Sequence, residues 1–335
     1  MHHSNAKRNT SQTSIMRPMI LLMAIFAACL GVAGATENGG SVWPVGAESF
    51  ATAAGVPHKG QTLFYEYTCF YVANELDDAK GHKSNVPPDF KLRVFAVAGK
   101  LSHNWGVKFL GGELGSYIAL PTVYEQLRVT NTEKFTKDDF TNIDVVPLTL
   151  FNHKGIVHWY YELQFETLGT GYVKGQPINI GQHNVAFTPA AAITLTPHKG
   201  AQNIMSRVDY VINNQDHATN YHSGNEFFWQ YDAQQEIPHH KASLGVSGYF
   251  YQQVTNDKQH GVAVITTNSD STTSVGYKGR VLQFGPEATF PLGKHGAIIV
   301  KWNHDFLVEN KPRGNAFWFQ FGVPFSYFHH VSGKQ

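Results

Sequence analysis

The sequence predicts an all-β protein, an antiparallel transmembrane β-barrel of the outer-membrane type with about twelve strands. Three observations carry this expectation. Near the end of the chain Phe317, Phe319, Phe321, Val323, Phe325 and Tyr327 fall on every second position, with Gln320, Gly322, Pro324 and Ser326 between them. That period of two is a strand with one greasy and one polar face. No long amphipathic helix elsewhere offers to cover such a face, so lipid is its natural neighbour. The connections between strand-like segments alternate between short and long, as in a barrel with turns on one side of a membrane and loops on the other. Composition points the same way: 23 Phe, 15 Tyr and 31 Gly accompany only 15% charged residues, where a soluble domain carries about 25%.

In chain order, Lys7, Arg8 and Arg17 precede an apolar run from Met19 to Ala33, and Ala33-Gly34-Ala35 follows. Residues 1–35 read as a Sec signal peptide, which predicts export and residence in the outer membrane of a Gram-negative cell. A lipoprotein reading would cut before Cys29, but Phe26 stands where a lipobox has an aliphatic residue. Nothing downstream approaches the roughly 20 consecutive apolar residues of a spanning helix. Removing residues 1–35 takes three of the 26 Lys+Arg and none of the 25 Asp+Glu, leaving 23 against 25 and a formal charge of −2. That balance gives no pull toward nucleic acid. Cys69 then stands alone, which rules out an intrachain disulfide and a cysteine metal cage.

Residues 36–61 are rich in Gly, Ala and Pro without a period. They read as irregular backbone, either a plug threading the barrel lumen or a disordered periplasmic tail. Trp43, Phe50 and Val56 favour something to pack against. The barrel is expected over 62–328, with strands near 62–74, 91–104, 114–130, 140–152, 155–168, 183–197, 202–213, 223–236, 242–254, 279–292, 296–309 and 315–328, and a tail at 329–335. Tight turns are expected at Asn152 to Gly155, Pro197 to Ala201, Pro238 to Lys241 and Gly293 to Gly296. Longer loops are expected at Glu75 to Phe90, Gly169 to Gln182, Asn213 to Ser223, Thr255 to Lys278 and Glu309 to Gly314. Several strands separate their faces: Trp159, Tyr161, Leu163 and Phe165 alternate with Tyr160, Glu162, Gln164 and Glu166, and Ile298, Val300, Trp302 and Phe306 oppose Lys301, Asn303 and Asp305.

Gln320, Gly322, Phe325 and Tyr327 have the spacing of a C-terminal barrel-assembly signal, which this segment resembles. The whole mature sequence resembles the outer-membrane family named for the meta-cleavage pathway of phenol degradation. The likeness is carried by Glu37-Asn38-Gly39-Gly40-Ser41 with Trp43-Pro44 and Gly46-Ala47-Glu48, by Ser223-Gly224-Asn225-Glu226-Phe227, by Gly248 to Thr255, and by Glu309-Asn310-Lys311-Pro312-Arg313-Gly314 leading to Phe317-Trp318. The resemblance implies a barrel that passes hydrophobic or aromatic compounds into cells that degrade them. The chain departs from the barrel pattern in running on from His329 to Gln335 beyond Phe328.

The inward charges Glu162, Glu166, Arg207, Asp209, Glu226, Asp232, Glu287, Lys301 and Asp305 are the candidate permeation residues. They read either as a ring that sets selectivity or as a salt-bridged filling of a narrow barrel. Phe228, Tyr249, Tyr251 and Trp318 read as a stacking path for a planar solute or as members of the interfacial aromatic girdles. The histidines, including His239-His240 and His329-His330, suit turns and tails, since adjacent strand residues face opposite ways and cannot share a metal. No Gly-x-Ser-x-Gly or His-Glu-x-x-His occurs, and Glu162 and Glu166 lie about 13 Å apart along a strand, too far for a carboxylate pair. No catalytic residue, cofactor or metal is therefore expected. The expected partners are the lipid bilayer, the barrel assembly machinery and a small hydrophobic solute. The leading functional reading is a passive uptake channel; a structural or adhesive barrel displaying its loops and an outer-membrane enzyme of lipase type are the alternatives.

Overall fold

The computed structural model describes residues 41, 46–48, 55–293 and 296–325. The segment expected to be a signal peptide, together with Trp43, Phe50, Tyr327, His329-His330 and the expected tail, lies outside the described residues. Twelve long strands form one closed sheet: β1 Thr62–Leu76, β2 Lys91–Phe109, β3 Gly112–Arg128, β4 Asp144–Lys154, β5 Val157–Glu166, β6 Ala186–Leu195, β7 Gln202–Asn213, β8 Glu226–Glu236, β9 Ser243–Gln253, β10 Arg280–Leu292, β11 Gly296–Glu309 and β12 Pro312–Pro324. Each pairs antiparallel with its neighbours in the chain, and β1 pairs with β12, from Leu63 opposite Pro324 to Leu76 opposite Pro312. Closure leaves no open sheet edge, so every backbone polar group of the wall can be satisfied within it, as lipid demands. A short strand, Lys134–Phe140, extends the pairing of β3 beyond the wall.

The alternation of the sequence becomes the two faces of this wall. Phe95, Ile118, Leu120, Phe165, Ile193, Val208, Trp229, Phe284, Val300, Trp302, Phe317 and Phe319 point outward, 37–49% exposed. Their strand neighbours point inward, and most of them are buried. The core is therefore the lumen, and it is largely polar: Gln164, Glu166, Arg207, Glu226 and Gln230 are all at most 1% exposed. No described helix is long and apolar enough to cross a membrane, which leaves crossing to the strands.

One end of the barrel carries turns and the other loops. The turns around Gly111 and Gly155 use left-handed backbone, φ 86° and 62°, which glycine adopts without the strain another residue would meet. At the other end the segments 214–225 and 254–279 add short strands of their own: Gln215–Asp216, Tyr221–His222, Lys258–Gln259 and Val262–Ala263 pair as one small sheet, and Ile265–Thr267 with Thr273–Val275 as a hairpin. That hairpin docks on the loop after β1, with Ser269 N–H donating to Asp78 at 2.8 Å and Lys80 paired to Asp270 at 2.7 Å.

Two expectations are corrected here. Glu309 to Gly314 is not a longer loop: β11 and β12 are joined by Asn310 and Lys311 alone. The loop-like composition misleads because Pro312 opens its strand, where a missing N–H is tolerated, while Gly314 pairs with Ala73 and Arg313 with Glu75. Val323, placed by its parity on the lipid face, is 2% exposed. It packs beside Gly296, whose missing side chain leaves the room; a Cβ there would stand 2.9 Å from Val323 Cγ1.

Candidate functional site in the barrel lumen

All thirteen candidate lumen residues lie on inward positions, and all are buried except Tyr249, which is partly so. The structure divides them into separate clusters instead of one charged ring. At the centre, the Arg207 guanidinium from β7 lies 2.7 Å from Glu162, 2.6 Å from Asp209 and 3.5 Å from Glu48, and it donates to the Tyr160 hydroxyl. Tyr117 from β3 donates to Glu162 at 3.1 Å and to Gln164 at 2.7 Å. Glu166 accepts from Gln164 at 2.6 Å and from Thr188 at 2.8 Å. The buried guanidinium is tolerated only because carboxylates surround it; deleting one partner of a buried pair typically costs about 3–5 kcal/mol.

A second cluster lies toward the turn end. Gln234 donates to Asp232 at 3.0 Å and also to Glu287. The third lies toward the loops. Asp305 accepts from Tyr71, Gln283 and the Gly314 N–H, each at 2.8 Å, and Glu226 accepts from Asn213 at 3.0 Å. The aromatics divide likewise: Phe228 and Tyr251, rings 5.0 Å apart, pack with Ala186, Val211, Val281 and Val308, whereas Tyr249 and Trp318 line a cavity.

Of the residues described ahead of β1, Gly46 to Glu48 are buried inside the barrel, whereas His58 to Gly60 are exposed. Lys301 donates to the carbonyls of Gly46 at 2.8 Å and Glu48 at 3.1 Å, and Gln320 donates to that of Ala47 at 2.7 Å. Gly46 lies against the Tyr249 ring. Ala47 and Glu48 are 5% and 7% exposed. Further along, Val56 packs against Phe151, Tyr160 and Ala192. Of the assembly-signal residues, Gln320 faces inward, Phe325 is exposed, and Gly322 lies beneath the Tyr65 ring, where a Cβ would approach Tyr65 Cδ1 to 2.9 Å.

The lumen, as lined by the described residues, includes two cavities. One of about 260 Å3 is walled by Ala96, Ala98, Ala119, Ala316 and Cys69 together with Tyr67, Tyr71, Tyr117, Tyr249 and Trp318. The other, about 210 Å3, lies nearer the turn end, among Leu63, Tyr65, Phe151, Tyr160, Ile299 and Val323. The indole N–H of Trp318 is buried without an acceptor among the described residues, and Lys301 Nζ stands 5.2 Å from the Trp318 ring centroid. Sequence reasoning missed Glu48 as a lumen group, together with Lys100, Tyr67, Tyr71 and Tyr117. The signal for Lys100 was available, because Ala96, Ala98 and Lys100 alternate with Phe95 and Val97. Glu48 lies in aperiodic backbone, where no pattern gives a direction. No cluster of three or more metal-ligating side chains occurs among the described residues.

Among solved structures, the chain is similar to an outer membrane channel from Pseudomonas putida F1, with a TM-score of 0.67 at 13% identity over 80% of this chain and 96% of that one. Weaker likenesses include the translocator domain of the autotransporter NalP from Neisseria meningitidis, TM-score 0.42 at 10% identity over 81% and 91% of the two chains, and a Pseudomonas aeruginosa FadL homologue, TM-score 0.38 at 8% identity over 87% and 97%. No curated protein sequence matches. The first of these structures has the same outer-membrane barrel fold. The family model described as the MetA-pathway of phenol degradation matches residues 73–321, and with three-quarters of its length inside that match, the chain belongs to this family.

Proposed function

We propose that this barrel is a passive outer-membrane channel for small hydrophobic or aromatic compounds, with its loops outside the cell and its turns in the periplasm. One observation carries the reading: the lumen holds a cavity of about 260 Å3 walled mainly by alanines and aromatic rings, with Glu48, Lys100 and Asp144 as its charged groups, inside a barrel whose other inward positions are largely polar or charged. A cavity of about 150 Å3 suffices for benzene, so a substituted single ring fits this one. Apolar walls with few polar groups are what an aromatic solute requires, and a water-filled sugar pore does not need them. Residues 36–61 act as the plug, with Gly46 to Glu48 seated on Lys301 and Gln320, so that hydrophilic solutes do not leak. The thirteen lumen residues set the polarity of the path around that cavity.

The test is accumulation of labelled toluate or phenol in cells with and without the gene, surface expression verified, beside a hydrophilic sugar. Selective loss of the aromatic is the expected outcome. Equal loss of both would make the protein a general porin, and loss of neither would remove the channel reading.

A further inference from the structure

Glu48 stands where the two lumen cavities meet: Glu48, Tyr67, Lys100 and Tyr117 line both. Its carboxylate is 3.7 Å from Lys100 Nζ and 3.5 Å from the Arg207 guanidinium. Lys100 Nζ in turn lies 4.0 Å from the centroid of the Tyr117 ring. The immediate surroundings of one carboxylate are therefore two cations, aromatic faces and an apolar space larger than a single ring. Glu48 does not belong to the wall. It reaches this position from aperiodic backbone, held by Lys301 and Gln320 and by a 3.4 Å hydrogen bond from its own N–H to Gln230. A carboxylate arriving from solution can make the same two contacts.

We propose that this is a binding site for a small aromatic monocarboxylate of the benzoate class. The ligand carboxylate takes the place of Glu48 between Lys100 and Arg207, and its ring lies in the alanine- and tyrosine-walled cavity. The exchange is neutral in charge, since one carboxylate leaves and one enters. Burying a net charge, the usual obstacle to anion binding in such a place, is thereby avoided. Arg207 keeps its other partners, Glu162 and Asp209, so the cluster does not have to rebuild. A neutral ring of the same shape gains the cavity but leaves the Lys100 contact to Glu48. The proposal rests on reading the lumen as a permeation path, but its test is binding.

The experiment is calorimetric titration of the full-length protein in detergent with benzoate and with benzamide, for the wild type, Glu48→Gln, Lys100→Met and Lys100→Arg. Benzoate is expected to bind about tenfold more tightly than benzamide, the scale of one charge-assisted contact. Glu48→Gln removes the competing carboxylate and should tighten benzoate by about tenfold while leaving benzamide unchanged. Lys100→Met should abolish the preference and Lys100→Arg should retain it. Equal affinity for the two ligands, equal tightening of both by Glu48→Gln, or no benzoate binding to any form overturns the site. If benzoate binds as expected but cells accumulate aromatics equally with and without the gene, the channel reading fails and the site stands. Gene-dependent uptake without a benzoate preference has the reverse meaning.

Discussion

At the scale of the residue, Asp257 shows how burial and hydrogen bonding compete. It follows β9 in the loop, is 0% exposed, and accepts 2.6 Å hydrogen bonds from the Tyr221 hydroxyl, the Gly224 N–H and Gln253 Nε2. Those donors favour the carboxylate, yet burial dominates and pushes its pKa from 3.8 up to about 7. Between these values the folded protein holds a proton that the unfolded chain has released. The stability this group contributes is therefore full below pH 3.8 and is lost as pH rises through about 7. The thermal unfolding midpoint in detergent should accordingly fall from pH 5 to pH 8 by more in the wild type than in Asp257→Asn. An identical fall in both proteins would remove Asp257 from this role. Arg207 represents the opposite solution to burial, a cation surrounded by carboxylates.

At the scale of the element, β12 shows what a barrel strand must satisfy at once. Phe317 and Phe319 meet lipid while Trp318 and Gln320 face the lumen, and Gly314 and Gly322 are small because Tyr71 and Tyr65 from β1 lie over them. Phe319 lies near the middle of its strand and is 44% exposed. Phe319→Arg should destabilise the folded barrel in lipid vesicles by about 2–4 kcal/mol, while Phe319→Leu should be nearly neutral. Denaturant titration measures both, and equal stability of the Arg and Leu variants would show that this face does not meet hydrocarbon. The hairpin from β11 to β12 carries a further lesson. Glu309-Asn310-Lys311-Pro312-Arg313-Gly314 has loop chemistry, but four of its six residues are in strands, because pairing of Glu309 with β10 and of Pro312 to Gly314 with β1 overrides local propensity.

At the scale of the whole molecule, closure turns an ordinary hydrophobic pattern inside out. The apolar residues are outside and the packed polar groups inside, so a segment from outside the wall can enter the lumen and be hydrogen-bonded there. Gly46 to Glu48 do so through Lys301, Gln320 and Gln230. Deleting residues 36–55 should leave β1 to β12 intact and raise the single-channel conductance in planar bilayers several-fold. Conductance unchanged from the wild type would mean that this segment does not limit passage.

Strand number, the two faces of each strand and the inward side of Glu162, Arg207, Asp209, Lys301 and Trp318 were legible in the sequence alone, because a pleated strand forces neighbouring side chains to opposite sides of a wall. That same rule reaches one strand at a time. It carries no information about which strands stand across the lumen from one another. Only the tertiary structure decided that the inward charges separate into clusters, that Tyr67, Tyr71, Tyr117, Tyr249 and Trp318 share one cavity with four alanines, and that Glu48 from aperiodic backbone completes the group around Arg207. Those contacts join residues up to 273 positions apart, as between Ala47 and Gln320, and they are set by barrel closure and register, which no local pattern encodes.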